Sequence, residues 1–135
     1  MRNMVVTLMA AFLFSDGNLF ADAKKKDKKE KKPRTVKMLV TGYCPCTICC
    51  EGWSGWNETA TGDDARICDG VAADPRLIPY RTVLRIPGVG KREVDDTGGK
   101  MRQSAKRNVY HIDVRFRTHK EAKRFGRKWL NVRIL

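Results

Sequence analysis

Residues 35–135 predict a small, mainly β domain that closes into a compact six-stranded barrel with one or two short helices. Three features carry that expectation. Six short runs are rich in β-branched and aromatic residues, Gly- and Pro-bearing turns separate them, and a single stretch has helical spacing. In chain order, TVKMLVTGY (35–43) is β-rich and GVAAD (70–74) is a short strand candidate. RTVLRIPG (81–88) alternates and stops at Pro87-Gly88, and KREVDD (91–96) follows a Gly turn. VYHIDVRF (109–116) alternates, and WLNVRIL (129–135) closes the chain. The helix belongs at THKEAKRFGRK (118–128). There Thr118 is an N-cap, Glu121 takes the capping-box position, and Ala122 and Phe125 share a face. About 100 residues suffice for one small core.

The N-terminus predicts export. Arg2 precedes a short apolar run, Met4 to Phe14, and Ala21-Asp22-Ala23 fits signal-peptidase cleavage. Residues 1–23 are expected to be a secretory signal peptide and the mature chain to start near Lys24; an uncleaved anchor or a buried helix is the alternative. Residues 24–34, KKKDKKEKKPR, have nothing apolar to bury and read as a basic, solvated linker. No lipobox cysteine follows the leader. The expected locations are the periplasm, the outer-membrane periphery or the extracellular medium.

The formal net charge is +13, from 28 Lys and Arg against 15 Asp and Glu. That balance suits acidic partners: nucleic acid, anionic lipid or an anionic wall polymer. The leader and the lack of a basic stripe interleaved with aromatics argue against nucleic acid. The linker is suited to hold the protein near an anionic wall or membrane surface.

Four of the five cysteines lie in CPCTICC: Cys44, Cys46, Cys49 and Cys50; Cys68 is the fifth. In an exported small domain oxidised pairing is the default. A metal site drawn from these five is the weaker alternative, because the second CxxC of a zinc ribbon is missing. Nothing in the spacing sets His111 or His119 beside a cysteine. Trp53 and Trp56 suit either sugar stacking or a barrel plug. Asp63 and Asp64 read as turn residues, His111 as an ordinary strand side chain, and Asp74, before Pro75, as a turn residue.

EVDDTGG and HIDV pose a sharper question, because Asp113 sits between Ile112 and Val114, where a carboxylate is poorly solvated. The ordered blocks TGYCPC, TATG, GVAADPRLIPYRTVLRIPGVG, VDDTGG, HIDV, EAKRFGR and VRIL resemble the 3D domain, a family named for three aspartates. That family is related to the catalytic domain of MltA-type lytic transglycosylases and to secreted stationary-phase muralytic proteins. The resemblance covers about residues 36–135. It implies a double-psi β-barrel that cleaves peptidoglycan glycan strands without a cofactor or metal. It carries the three aspartates onto Asp74, Asp96 and Asp113, with Asp95 the neighbour rather than the match. Strand alternation is expected to turn Asp95 away from Asp96 and make it dispensable. The resemblance also implies substrate contacts at Tyr43, Thr61 and Gly62. The Thr97-Gly98-Gly99 turn can offer backbone N–H groups to the glycan.

Asp113, in the most apolar strand, is the expected acid/base; Asp96 is next, and Asp74 orients or tunes charge. The chain departs from the family in a longer, basic segment between Asp96 and Asp113 and in its dense cysteines. A plain O-glycosyl hydrolase and a non-catalytic wall-binding module are the rival readings.

Overall fold

Period-two alternation sends every second side chain of a strand to the same face, and in this chain those apolar side chains meet in one core. The computed structural model describes residues 32–50, 57–67 and 69–135. The expected leader, residues 24–31 of the linker, Trp53, Trp56 and Cys68 lie outside the described residues. Six strands are present: β1 (Arg34–Tyr43), β2 (Gly70–Ala73), β3 (Val83–Ile86), β4 (Gly90–Asp96), β5 (His111–Arg115) and β6 (Lys128–Ile134). They close into a barrel in the order β1-β5-β2-β4-β3-β6, the six-stranded barrel the sequence predicts. Two pairs, β1/β5 and β2/β4, are parallel, and the other four are antiparallel. Met38 and Val40, Val71 and Ala73, Leu84 and Ile86, Val94, Ile112 and Val114, and Val132 fill the inside.

Three short helices decorate the barrel: α1 (Thr47–Cys50), α2 (Gly99–Ala105) and α3 (His119–Phe125). Among the described residues no helix is long and apolar enough to cross a membrane. The expected helix is α3, and its capping box forms as read. Thr118 Oγ1 accepts the Glu121 N–H, and Glu121 Oε2 accepts the Thr118 N–H. Ala122 is buried and Phe125 meets Phe116 with ring centroids 5.2 Å apart. Gly42 lets α3 dock on β1, since a Cβ there would come within 2.9 Å of Phe116 and 3.1 Å of the Ala122 carbonyl. The other larger helix, α2, occupies the basic segment after Asp96. It buries Met101, Ser104 and Ala105 at helical spacing, too short a stripe to stand out in sequence.

Candidate active site

Because Ile112 and Val114 point into the core, the alternate residues of β5, His111, Asp113 and Arg115, form a row on its other face. The parallel register sets Thr41 of β1 opposite Asp113 and Tyr43 opposite Arg115. On the far side of β5, Ala72 faces Asp113 and leaves it room. A cleft of about 520 Å³ opens over this row. Its walls include Tyr43, Asp96, Thr97, Lys100, Arg102 and Asp113.

Asp113 accepts a 2.8 Å hydrogen bond from Thr41 Oγ1. Burial pushes its carboxyl up to about 6; Thr41 and Lys100 oppose the rise, and the charge of Asp96 adds to it. Behind Thr41 lies His111, whose Nε2 is 3.1 Å from Thr41 Oγ1 and whose Nδ1 is 3.0 Å from Ser104 Oγ on α2. Burial holds His111 below its ordinary value, with the Arg127 and Lys100 charges adding, so the ring is neutral at pH 7. The side chain read as ordinary from sequence is thus the middle of a polar chain ending on Asp113.

The raised carboxyl has a consequence for stability. The folded chain binds the Asp113 proton up to about pH 6, whereas an unperturbed aspartate loses its proton near pH 3.8. Between those values the folded state holds more protons, so this group lowers stability as pH rises through that window and costs nothing below it. Each pH unit of the rise is worth about 1.4 kcal/mol, so Asp113→Asn is expected to stabilise the fold by at most roughly 3 kcal/mol above pH 6. The gain should fade below about pH 4. Thermal unfolding of both proteins across pH checks this; a variant less stable than the parent above pH 6 contradicts it.

Asp96 is held by three donors: Tyr43 Oη at 2.9 Å, the Thr97 N–H at 2.8 Å and the Ala60 N–H at 3.2 Å. The Tyr43 hydroxyl accepts from Arg115 Nε at 2.9 Å, and burial, the largest influence, raises its proton affinity. Arg115 is fully buried, and its two terminal nitrogens reach the Asp95 carboxylate at 2.8 and 2.7 Å. Burial pushes the Asp95 carboxyl up, and Arg115 opposes that shift.

Asp95 is therefore not the idle neighbour the sequence reading expected. A bulge in β4 explains how adjacent residues serve different partners. Val71 pairs with Val94 and Ala72 with Asp96, which leaves Asp95 as the extra residue. The bulged Asp95 carbonyl accepts from the Thr61 N–H at 3.1 Å and Thr61 Oγ1 at 2.9 Å. Gly70 clears the space, since a Cβ there would collide with the Asp95 carboxyl.

The cleft brings together Asp113, Asp96, Tyr43, Thr97, Gly98 and Gly99 of the expected residues. Asp74, Thr61 and Gly62 are not in its walls. Both Asp74 oxygens are taken by Arg76, which holds the carboxyl below its ordinary value. Its backbone carbonyl accepts from Leu77 and Ile78, the turn role that local sequence suggests. Thr61 and Gly62 belong to the turn that carries the bulge contact. Among the described residues, Thr97 Oγ1 is buried without a protein hydrogen-bond partner.

A second hollow of about 320 Å³ is lined by Asp63, Asp64, Arg81 and Glu93, among others. Four of its carboxylates are engaged: Asp64 by Arg66, Asp63 and Glu93 by Arg81, and Asp95 by Arg115. Sequence reasoning missed Thr41, His111, Ser104, Lys100 and Arg115. The spacing of His111, Asp113 and Arg115 at every second residue was the available signal.

The described cysteines, Cys44, Cys46, Cys49 and Cys50, are free thiols. The Cys44 and Cys46 sulfurs are 2.9 Å apart. Contrary to the expectation from spacing, His119 lies beside this cluster, with Nδ1 3.3 Å from Cys49 Sγ and 3.9 Å from Cys46 Sγ. Hydrogen bonding from Cys44, then from the Cys49 and Ile48 backbone, brings the Cys46 thiol down to about 6.

Fold and site together define a small β-barrel domain with a cleft built around two carboxylates. The chain is 30% identical over 107 residues to a protein of Bacillus subtilis (strain 168) named "Putative cell wall shaping protein YabE". The match covers 75% of this chain and 24% of that protein, so the chain spans about a quarter of the relative's length. No family model matches the chain.

Proposed function

We propose that this domain is a peptidoglycan-cleaving lytic transglycosylase of the exported cell envelope, acting on the bond between N-acetylmuramic acid and N-acetylglucosamine. The observation that carries this reading is Asp113, a part-buried carboxyl lining an open cleft, which holds its proton up to about pH 6. Glycosidic cleavage needs such a group. The resemblance to the 3D domain and the similarity to a protein named for cell wall shaping supply the substrate class. The net charge of +13 suits an anionic, peptide-bearing polymer.

Asp113 gives its proton to the glycosidic oxygen as the bond to the muramic C1 breaks and an oxocarbenium-like state forms. The resulting carboxylate takes the proton from the muramic C6 hydroxyl. Its oxygen bonds to C1, closing a 1,6-anhydro ring. No water is consumed, so a second carboxylate at hydrolase spacing is not required. Asp96, fixed by Tyr43 and two backbone N–H groups, keeps negative charge near the developing cation. Asp74 acts from outside the cleft by shaping the turn that runs through Pro75 to Ile78.

Mass analysis of the products released from purified peptidoglycan tests the reading. Anhydro-muropeptides support it. Products heavier by one water and ending in a reducing sugar indicate an O-glycosyl hydrolase. Binding without cleavage indicates a wall-binding module.

A further inference from the structure

The cysteine cluster lies outside the proposed chemistry and has its own logic. Cys44 follows β1, Cys46 and Cys49 bracket the entry to α1, and His119 opens α3, some 70 residues later. The ligand atoms of these four residues all lie within 4.8 Å of one another. The Cys44–Cys49 sulfur separation is 3.6 Å, and His119 Nδ1 lies 3.3 Å from Cys49 Sγ and 3.9 Å from Cys46 Sγ. A tetrahedral zinc ion with Zn–S near 2.3 Å and Zn–N near 2.0–2.1 Å has sulfur–sulfur edges of about 3.8 Å and sulfur–nitrogen edges of about 3.6 Å. The Cys44–Cys46 pair, at 2.9 Å, has to open by about 0.9 Å to reach that sulfur–sulfur edge. Cys50 stands apart, with its thiol on the Cys44 carbonyl at 3.4 Å.

We propose that Cys44, Cys46, Cys49 and His119 bind one zinc ion in a closed, tetrahedral Cys3His site that clamps α3 to the end of β1. Three sulfurs and an imidazole are the donor set such an ion prefers, and four protein ligands leave no open position for catalysis. The role is therefore structural. Pro45, Cys49 and Cys50 line the cleft, so the metal would fix that wall relative to Asp96 and Asp113. A disulfide among these residues, the expectation for exported cysteines, would use two thiols and leave the third thiol and the imidazole without a function.

The test uses the full chain, purified under reducing conditions and titrated with Co(II), then Zn(II). One equivalent of Co(II) should give thiolate-to-cobalt charge-transfer bands and intense tetrahedral d–d bands, both abolished by Zn(II). Outer-sphere partners of metal ligands are typically worth about 10–100-fold in affinity. His119→Ala and Cys46→Ser should lose at least that much, whereas Cys50→Ser should bind as the parent does. Circular dichroism identifies any variant that fails to fold. His119→Ala carries the test if Cys46→Ser is such a case, because His119 is not part of the core. The proposal is overturned by a reduced chain that gives no tetrahedral cobalt spectrum. It is also overturned by equal loss in Cys50→Ser and His119→Ala, or by a metal-free native chain whose non-reducing mass shows a disulfide among Cys44, Cys46 and Cys49. None of these readouts depends on glycan cleavage.

Discussion

Asp113→Asn is expected to lower anhydro-muropeptide release by about 10²–10⁴-fold, the usual worth of a general acid–base group. The amide keeps the size of the carboxyl and can still meet Thr41 Oγ1, so wall binding and fold should survive. It cannot cycle a proton. In the parent, the acid form of Asp113 declines as pH rises through about 6, so release should fall on that alkaline limb. Asp96→Asn should be nearly as severe, because it removes the fixed charge beside the reacting centre while Tyr43 and the Thr97 N–H lose their charged acceptor. Asp74→Asn should be milder and should act through stability, since Arg76 rather than the cleft receives its carboxylate. Full activity of folded Asp113→Asn removes it as the acid/base; full activity in all three variants leaves only the wall-binding reading.

The largest expected loss of stability comes from the ion pair beneath the cleft. Arg115→Met strands the Asp95 carboxylate in a site where the two side chains are 0% and 8% exposed. Breaking one side of such a pair typically costs about 3–5 kcal/mol. Asp95→Asn should be costly for the mirror reason, since the buried guanidinium loses its two close charged contacts and keeps the Asp96 carboxylate only at 3.9 Å, beside the Tyr43 hydroxyl and the Ile67 carbonyl. It is a stability variant, not a silent control for Asp96. Replacing both residues with apolar ones should restore part of the loss, because no charge is then left buried alone. Urea unfolding measures all three. A cost under about 1 kcal/mol for Arg115→Met, the range of exposed pairs, contradicts this account.

The strands were legible because their signal is local. Alternation in VLRI and HIDVR places Leu84, Ile86, Ile112 and Val114 inside without knowledge of any partner strand. The cap of α3 was legible for the same reason, since Thr118 and Glu121 are three residues apart. The site was half legible. An aspartate between two core residues is conspicuous, and Asp113 is one of two carboxyls among the described residues, with Asp95, whose proton affinity burial raises. Its neighbours were hidden because the parallel β1/β5 register brings Thr41 to Asp113 from 72 residues away. Asp95 was misread because strict alternation was assumed where a bulge adds a residue. His119 was missed because it reaches the cysteines only once α3 docks on Gly42.

The strand order also governs how the molecule comes into being. The first strand has only β5 and β6 as neighbours, so it waits unpaired until nearly the whole chain exists. Closing loops of this length must be accomplished before those contacts reward the chain, and barrels of such topology fold in roughly milliseconds to seconds. Assembly is consequently all-or-none in character. Thr41 and Asp113 come together in the same event that shuts the barrel, and a chain ending before residue 111 has the walls of the cleft but not its acid.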